Sequence, residues 1–162
     1  DDEEIEMSEA VKIQDPISSL GLEQPLVVEL GTNMKNALNL LQQEKQNCLL
    51  IIKNESLSGI LTERDILLKV TGKGFDLDLV TVDEFMTKNP EVLSPEDPLA
   101  YALNKMHIGG FRHVPIVNDS MCPVGLISIS NIISTIADYF SMEIINLPPL
   151  ERIVDSEMQE GG

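Results

Sequence analysis

Gly59-Ile60-Leu61-Thr62-Glu63-Arg64-Asp65 and Gly125-Leu126-Ile127-Ser128-Ile129-Ser130-Asn131 are one phrase written twice. In each, a glycine opens a short apolar run and a hydroxyl residue closes it. An Asp or Asn follows three positions later, and the next apolar residue is isoleucine, Ile66 or Ile132. The pattern predicts a buried strand that ends at Leu61 or Ile127 and a helix that starts just after it.

Working outward, the repetition continues. Cys48-Leu49-Leu50-Ile51-Ile52 falls on His113-Val114-Pro115-Ile116-Val117, two runs of buried-strand type. Met34, Ala37, Leu38 and Leu41 fall on Leu99, Ala102, Leu103 and Met106. Both sets keep the i, i+3, i+4, i+7 spacing of an amphipathic helix. Further upstream, Ile17 and Leu20 match Val82 and Phe85. Each copy therefore reads short helix, strand, helix, strand, strand, helix. The expected organisation is an acidic tail over 1–15, a first repeat over 16–70 and a linker over 71–81. A second repeat follows over 82–140, then an extension and tail over 141–162. Copies of this length are marginal as separate cores, so the expectation is one α+β body of two face-to-face, pseudo-symmetric repeats. Ser141 to Leu150 is expected to pack back on that body or on a partner.

Composition narrows the partners. The 162 residues carry 27 acidic against 11 basic side chains, a formal net charge of -16. A sequence-independent nucleic-acid binder needs a basic face, and an anionic membrane surface repels such a chain. Aromatics make up 4% of the chain and Trp is absent, which disfavours stacking on single strands. No membrane contact and no nucleic acid are expected. Cys48 and Cys122 have neither the spacing of a zinc site nor a disulfide framework, and read as reduced thiols of a cytoplasmic protein. Asp76 and Asp78 lack the oxygen spacing of a calcium loop, so no metal site is expected. The chain opens at Asp1 without a methionine, as a processed product, an engineered segment or a piece of a longer protein would.

Two stretches offer chemistry. Thr62 and Asp65 have the spacing of a capping box, in which the hydroxyl caps the helix and the carboxylate reaches back. The same ionised carboxylate can accept two hydrogen bonds from a ribose diol, each contributing about 1.5–3 kcal/mol. Arg64 adds a cation at that mouth. In Gly109-Gly110-Phe111-Arg112-His113-Val114-Pro115-Ile116, two glycines precede a strand that opens with a guanidinium and an imidazole. This is either a loop with surface charges or a phosphate clamp. Arg112 would supply a fork of donors, and His113 would gain charge beside a phosphate.

These phrases, with Phe85-Met86-Thr87-Lys88-Asn89-Pro90 and in this order, resemble a tandem pair of CBS (cystathionine-beta-synthase) domains, a Bateman module, over about Pro16 to Phe140. The resemblance implies two β-α-β-β-α units packed through their sheets and two clefts related by a pseudo-twofold. It implies a regulatory sensor of adenosyl ligands: AMP, ADP or ATP (the last with Mg2+), S-adenosylmethionine, or a cyclic dinucleotide. A homodimer formed through flat faces is implied too. Carried over by position, Thr62 and Asp65 hold ribose and phosphate, Arg112 and His113 reach the phosphate, and Ile60 and Pro115 flank the base. The second cleft departs from the pattern. Ser128 and Asn131 stand at its helix start, and Asn47 and Cys48 replace the basic pair. One competent cleft and one weaker or empty cleft are therefore expected.

Two other readings compete. A ligand-free dimerisation or scaffold module needs only the capping box, and a regulatory fragment of a larger enzyme or transporter fits the open ends. No nucleophile–base signature, metal cluster or Walker-type loop is present, so the chain is not expected to be an enzyme.

Overall fold

The computed structural model describes residues 13–135 and 137. Residues 1–12 of the expected 1–15 tail and the whole of the expected 141–162 extension lie outside them. The first copy runs through a 3-10 turn (Ile17–Leu20), β1 (Leu26–Glu29), α1 (Met34–Glu44), β2 (Cys48–Lys53), β3 (Ser56–Thr62) and α2 (Glu63–Lys69). The second runs through a 3-10 turn (Val82–Glu84), β4 (Thr87–Lys88), α3 (Leu99–Gly109), β5 (His113–Val117) and β6 (Pro123–Ser128). Residues 129–135 and 137 are helical and form α4.

The periodicities decide which faces are covered. Met34, Ala37 and Leu41 bury one stripe of α1, and Leu99, Ala102 and Met106 bury the matching stripe of α3. In β2 the period is two: Leu49 and Ile51 face the helices of their own repeat, while Cys48 and Leu50 face the other repeat. The second set meets Leu57, Ile60, Val117 and Leu126, and this apolar layer joins the two sheets. The 71–81 segment is more than a spacer. Val80 and Leu77 carbonyls accept the first amides of α1, from Met34 and Lys35, both at 2.9 Å. They thereby satisfy two donors that a helix start leaves open.

The sheets are unequal. One has the order β1-β2-β3-β4, with β1 parallel to β2 and the other pairs antiparallel; the other is the β5–β6 pair. The expected first strand of the second copy shrinks to a single parallel bridge between Leu93 and Ile116. Proline explains this. In the first copy the Leu30 amide donates to Ile52 O at 2.8 Å and extends the ladder. The matching residue of the second copy is Pro95, which has no N–H to give.

The leading turns have changed places. Ile17, at the head of the first copy, is fully buried in the core of the second with Leu93, Leu99, Val114 and Ile116. Val82 and Phe85, at the head of the second, are buried in the core of the first with Met34, Leu49, Ile51 and Leu61. The stretches after them cross over as well. Thr87 and Lys88 pair with Ile60 and Gly59, while Glu23 bridges to Leu126. The copies share their cores more closely than face-to-face packing alone requires: each repeat is completed by the other's first turn. Gly59 and Gly125 permit the crossing. A Cβ on Gly59 would collide with the Met86 side chain and come within 3.0 Å of Thr87 O. One on Gly125 would lie 2.7 Å from Leu22 Cδ1.

Candidate functional site: a cleft between the repeats

Where β3 meets α2, the chain turns from a buried strand into a helix, and Thr62 caps that helix. The Thr62 amide donates to Asp65 Oδ2 at 3.0 Å, its hydroxyl to the same oxygen at 3.1 Å, and the Asp65 amide to Thr62 Oγ1 at 3.3 Å. The capping-box reading of this pair is therefore realised. The other carboxylate oxygen, Oδ1, lies 3.0 Å from Lys69 Nζ, one helical turn on. Lys69 also donates to Phe85 O at 3.0 Å, tying Asp65 to the crossed-over turn. The carboxylate is held rigidly, and further lone pairs remain available to accept.

This corner forms one wall of a cleft of about 900 Å³, within the range of small-molecule sites. Ile60, Thr62, Glu63, Arg64, Asp65, Leu67 and Leu68 line it from the first repeat. Opposite them stand Thr87, Asn89, Pro90 and Glu91, and then Gly109, Gly110, Phe111, Arg112 and His113 from the end of α3 and the start of β5. The cleft thus brings together Ile60, Thr62, Arg64, Asp65, Arg112 and His113. It does not include Pro115. That proline is fully buried inside the β5–β6 pair, and its carbonyl accepts the Leu93 amide at 3.1 Å. Its expected place beside a base therefore falls outside the residues that line the cleft. Asn47, expected at the other cleft, also lines this one because its carbonyl accepts the Glu63 amide at 2.9 Å. Thr87, Asn89, Pro90, Leu67, Leu68 and Phe111 are wall residues to which sequence reasoning assigned no role. The Phe85–Pro90 and Phe111–Ile116 phrases contain the signal for four of them.

The cleft lining carries both signs of charge. Of its three carboxylates, Asp65 is paired with Lys69, and Glu91 with Lys105 at 2.7 Å. Glu63 alone opposes Arg64 and Arg112, and neither guanidinium is bonded to a described residue. Both guanidiniums therefore remain available to an anionic ligand in the cleft.

His113 lines the cleft half-buried. Burial lowers its pKa below the usual histidine value; Glu23 partly opposes this and Arg112 adds to the lowering. Without a ligand it is therefore a neutral donor near pH 7, not a cation. The unfolded chain binds a proton at His113 more readily than the folded one. Its contribution to stability is complete above about pH 6.5 and is lost as pH falls through that value toward the lower folded pKa. Chemical denaturation at pH 7.5 and pH 5.0 should show a larger loss in wild type than in His113→Gln; equal losses would contradict the assignment.

Cys48 sits in the layer between the sheets, and burial, with Asp65 and Glu23 nearby, pushes its thiol up to about 12. Cys122 is half-buried and free. A thiol reagent at pH 8 should therefore modify Cys122 and leave Cys48 unreacted until the protein unfolds. Native modification of both would contradict the packing of that layer.

The matching turn of the second repeat, where the second cleft was expected, uses different atoms. The Ser128 amide donates to Asn131 Oδ1 at 3.0 Å, and the Asn131 amide to Ser128 Oγ at 3.2 Å. The Asn131 side-chain amide then donates to Glu23 Oε1 at 2.8 Å.

The duplicated strand–turn–helix corners and crossed leading turns coincide with a known module. The CBS domain family model matches twice, over residues 17–72 and 82–138. The chain belongs to the CBS-domain family. Among relatives of this CBS pair, CBSCBSPB3 of Arabidopsis thaliana is 40% identical over 72 residues, covering 44% of this chain and 13% of its own length. CBSCBSPB1 of the same plant is 34% identical over 104 residues, covering 64% and 19%. The CBS pair thus spans less than a fifth of the length of these relatives. An uncharacterised 17.7 kDa protein of Acidianus ambivalens matches over 78% of this chain and 76% of its own at 25% identity. Among solved structures, the CBS domain pair of protein MJ0100, in complex with 5'-methylthioadenosine and S-adenosyl-L-methionine, superposes with a TM-score of 0.68 at 22% identity, covering 76% of this chain and 97% of that one. CBSX2 in complex with AMP superposes at 0.65 and 21% identity, covering 78% and 98%. These likenesses establish the fold. Among the described residues no helix is long and apolar enough to cross a membrane, and no cluster of His, Cys, Asp and Glu could hold a metal ion.

Proposed function

We propose that this CBS pair is a regulatory module that holds one adenosyl ligand per chain, of the AMP, ADP or ATP class, in the cleft between β3–α2 and the start of β5. The observation that carries the reading is convergence. Thr62 and Asp65 from one repeat and Arg112 and His113 from the other line a single cleft of about 900 Å³, and Arg64 stands beside them. A carboxylate suits a ribose diol, and two guanidiniums with a neutral imidazole suit a phosphate. The CBS pairs named for complexes with AMP and with S-adenosyl-L-methionine support the ligand class. ATP with Mg2+ belongs to the same reading, because the net charge of -16 repels a highly charged free nucleotide at long range. We place the module in the cytoplasm, as a homodimer, and assign it no catalysis. The cleft offers binding groups, while the Thr62 hydroxyl is committed to the helix cap with Asp65.

A second reading, a scaffold that needs no ligand, is favoured by one observation. Both Asp65 oxygens already have partners, and Leu67 and Leu68 on α2 and Ile133 on α4 stay exposed for a partner surface. Thermal shift with AMP, ADP, ATP, S-adenosylmethionine and a cyclic dinucleotide, with and without Mg2+, separates the two. At about 100 times its dissociation constant, a ligand adds roughly 2.7 kcal/mol of stability. Silence from every compound favours the scaffold.

A further inference from the structure

The crossed-over segments make the two clefts comparable atom by atom. Met86 lies against Gly59, and Leu22 lies against Gly125. The next residues, Thr87 and Glu23, pair with Ile60 and Leu126 at equivalent points of β3 and β6. Glu23 is therefore the structural counterpart of Thr87, just as Asn131 is of Asp65. In the first cleft Thr87 and Asp65 both line the cavity, with no hydrogen bond between them. In the second, Glu23 Oε1 accepts from Asn131 Nδ2 at 2.8 Å, a contact between residues 108 apart in sequence.

We propose that the Glu23–Asn131 bridge latches the second cleft and closes it to phosphate-bearing ligands. Two effects act together. The hydrogen bond engages the Asn131 side chain, which stands where Asp65 stands in the first cleft, and holds it against Glu23. The carboxylate also places negative charge where the first cleft carries a neutral hydroxyl, and the Arg112–His113 counterpart at Cys48 is a buried thiol. An entering phosphate would meet a like charge and no cation. The asymmetry of the module is thus actively built by Glu23 as well as by the missing basic pair. The proposal rests on the functional reading above only in its choice of nucleotide as ligand.

The test follows AMP binding by amide chemical shifts in the full chain. The Thr62–Asp65 amides report the first cleft and the Ser128–Asn131 amides the second. In wild type the second set should stay unmoved at AMP concentrations that saturate the first. In Glu23→Thr it should shift, with a dissociation constant at least tenfold below the wild-type limit. No such gain in Glu23→Thr, or wild-type AMP binding of equal strength at both turns, overturns the proposal. A silent Thr62–Asp65 set would instead sink the functional reading, with the second set still deciding this one. A ligand-free cycle checks the latch itself. Asn131→Asp sets two carboxylates face to face and should lower Tm by about 2–4 °C, most of which Glu23→Thr should remove. The same loss in both backgrounds would overturn the contact.

Discussion

Truncating Ile17 to alanine lowers the stability of the chain by about 2–5 kcal/mol, and the damage appears in the second repeat. Ile17 has no accessible surface, and its neighbours Leu93, Leu99, Val114 and Ile116 lie 76 or more positions along the chain. The cost has two parts: lost transfer free energy and a cavity that α3, β5 and the bridge at Leu93 cannot fill without moving. Amide exchange in α3 should accelerate in the variant more than in α1. Phe85→Ala is the mirror experiment, with about 3–5 kcal/mol lost and the faster exchange in α1 and β2. Phe85 also packs edge-on against Phe75, with centroids 5.1 Å apart, so part of its loss is aromatic contact. If each truncation loosened only its own repeat, the exchange of leading turns would be wrong. Because each core is completed by the other repeat, unfolding should be a single cooperative transition.

Replacing Arg112 by alanine weakens AMP binding about 10- to 100-fold and leaves adenosine nearly unaffected, because a charge-assisted contact of about 1.5–3 kcal/mol is lost only where a phosphate is present. Calorimetry with both ligands reads the difference, and equal losses would remove Arg112 from a phosphate role. Asp65 behaves otherwise. Its carboxylate accepts from Thr62 twice and pairs with Lys69, so Asp65→Ala should cost stability as well as affinity. Asp65→Asn separates the two. It keeps an acceptor for the cap, loses the ion pair, and should weaken AMP and adenosine alike, since both carry the ribose. Full retention of adenosine affinity in Asp65→Asn would leave this carboxylate a structural cap only.

Much of the cleft was legible beforehand for a local reason. Thr62 and Asp65 are three residues apart, and Arg112 and His113 are adjacent, so spacing alone places each pair at one turn. Pro115 was misjudged because a short apolar run does not reveal how deep in a sheet each residue lies. The direction of the His113 shift, the Lys69 partnership and the Glu23 bridge depend on groups distant in sequence, which no spacing encodes.

The duplicated phrases determined the repeat, the order of elements and the buried stripes of α1 and α3, because periodicity is a property of neighbours along the chain. They also led to the same first strand being expected in both copies, which the structure shortens in the second, where Pro95 lacks the N–H that Leu30 gives. Which core each leading turn would enter was decided only in three dimensions. Ile17 and Val82 are equally apolar, and either would satisfy either core by composition. The close approach permitted at Gly59 and Gly125 selects the crossed arrangement, and that crossing brings Thr87 to one cleft and Glu23 to the other.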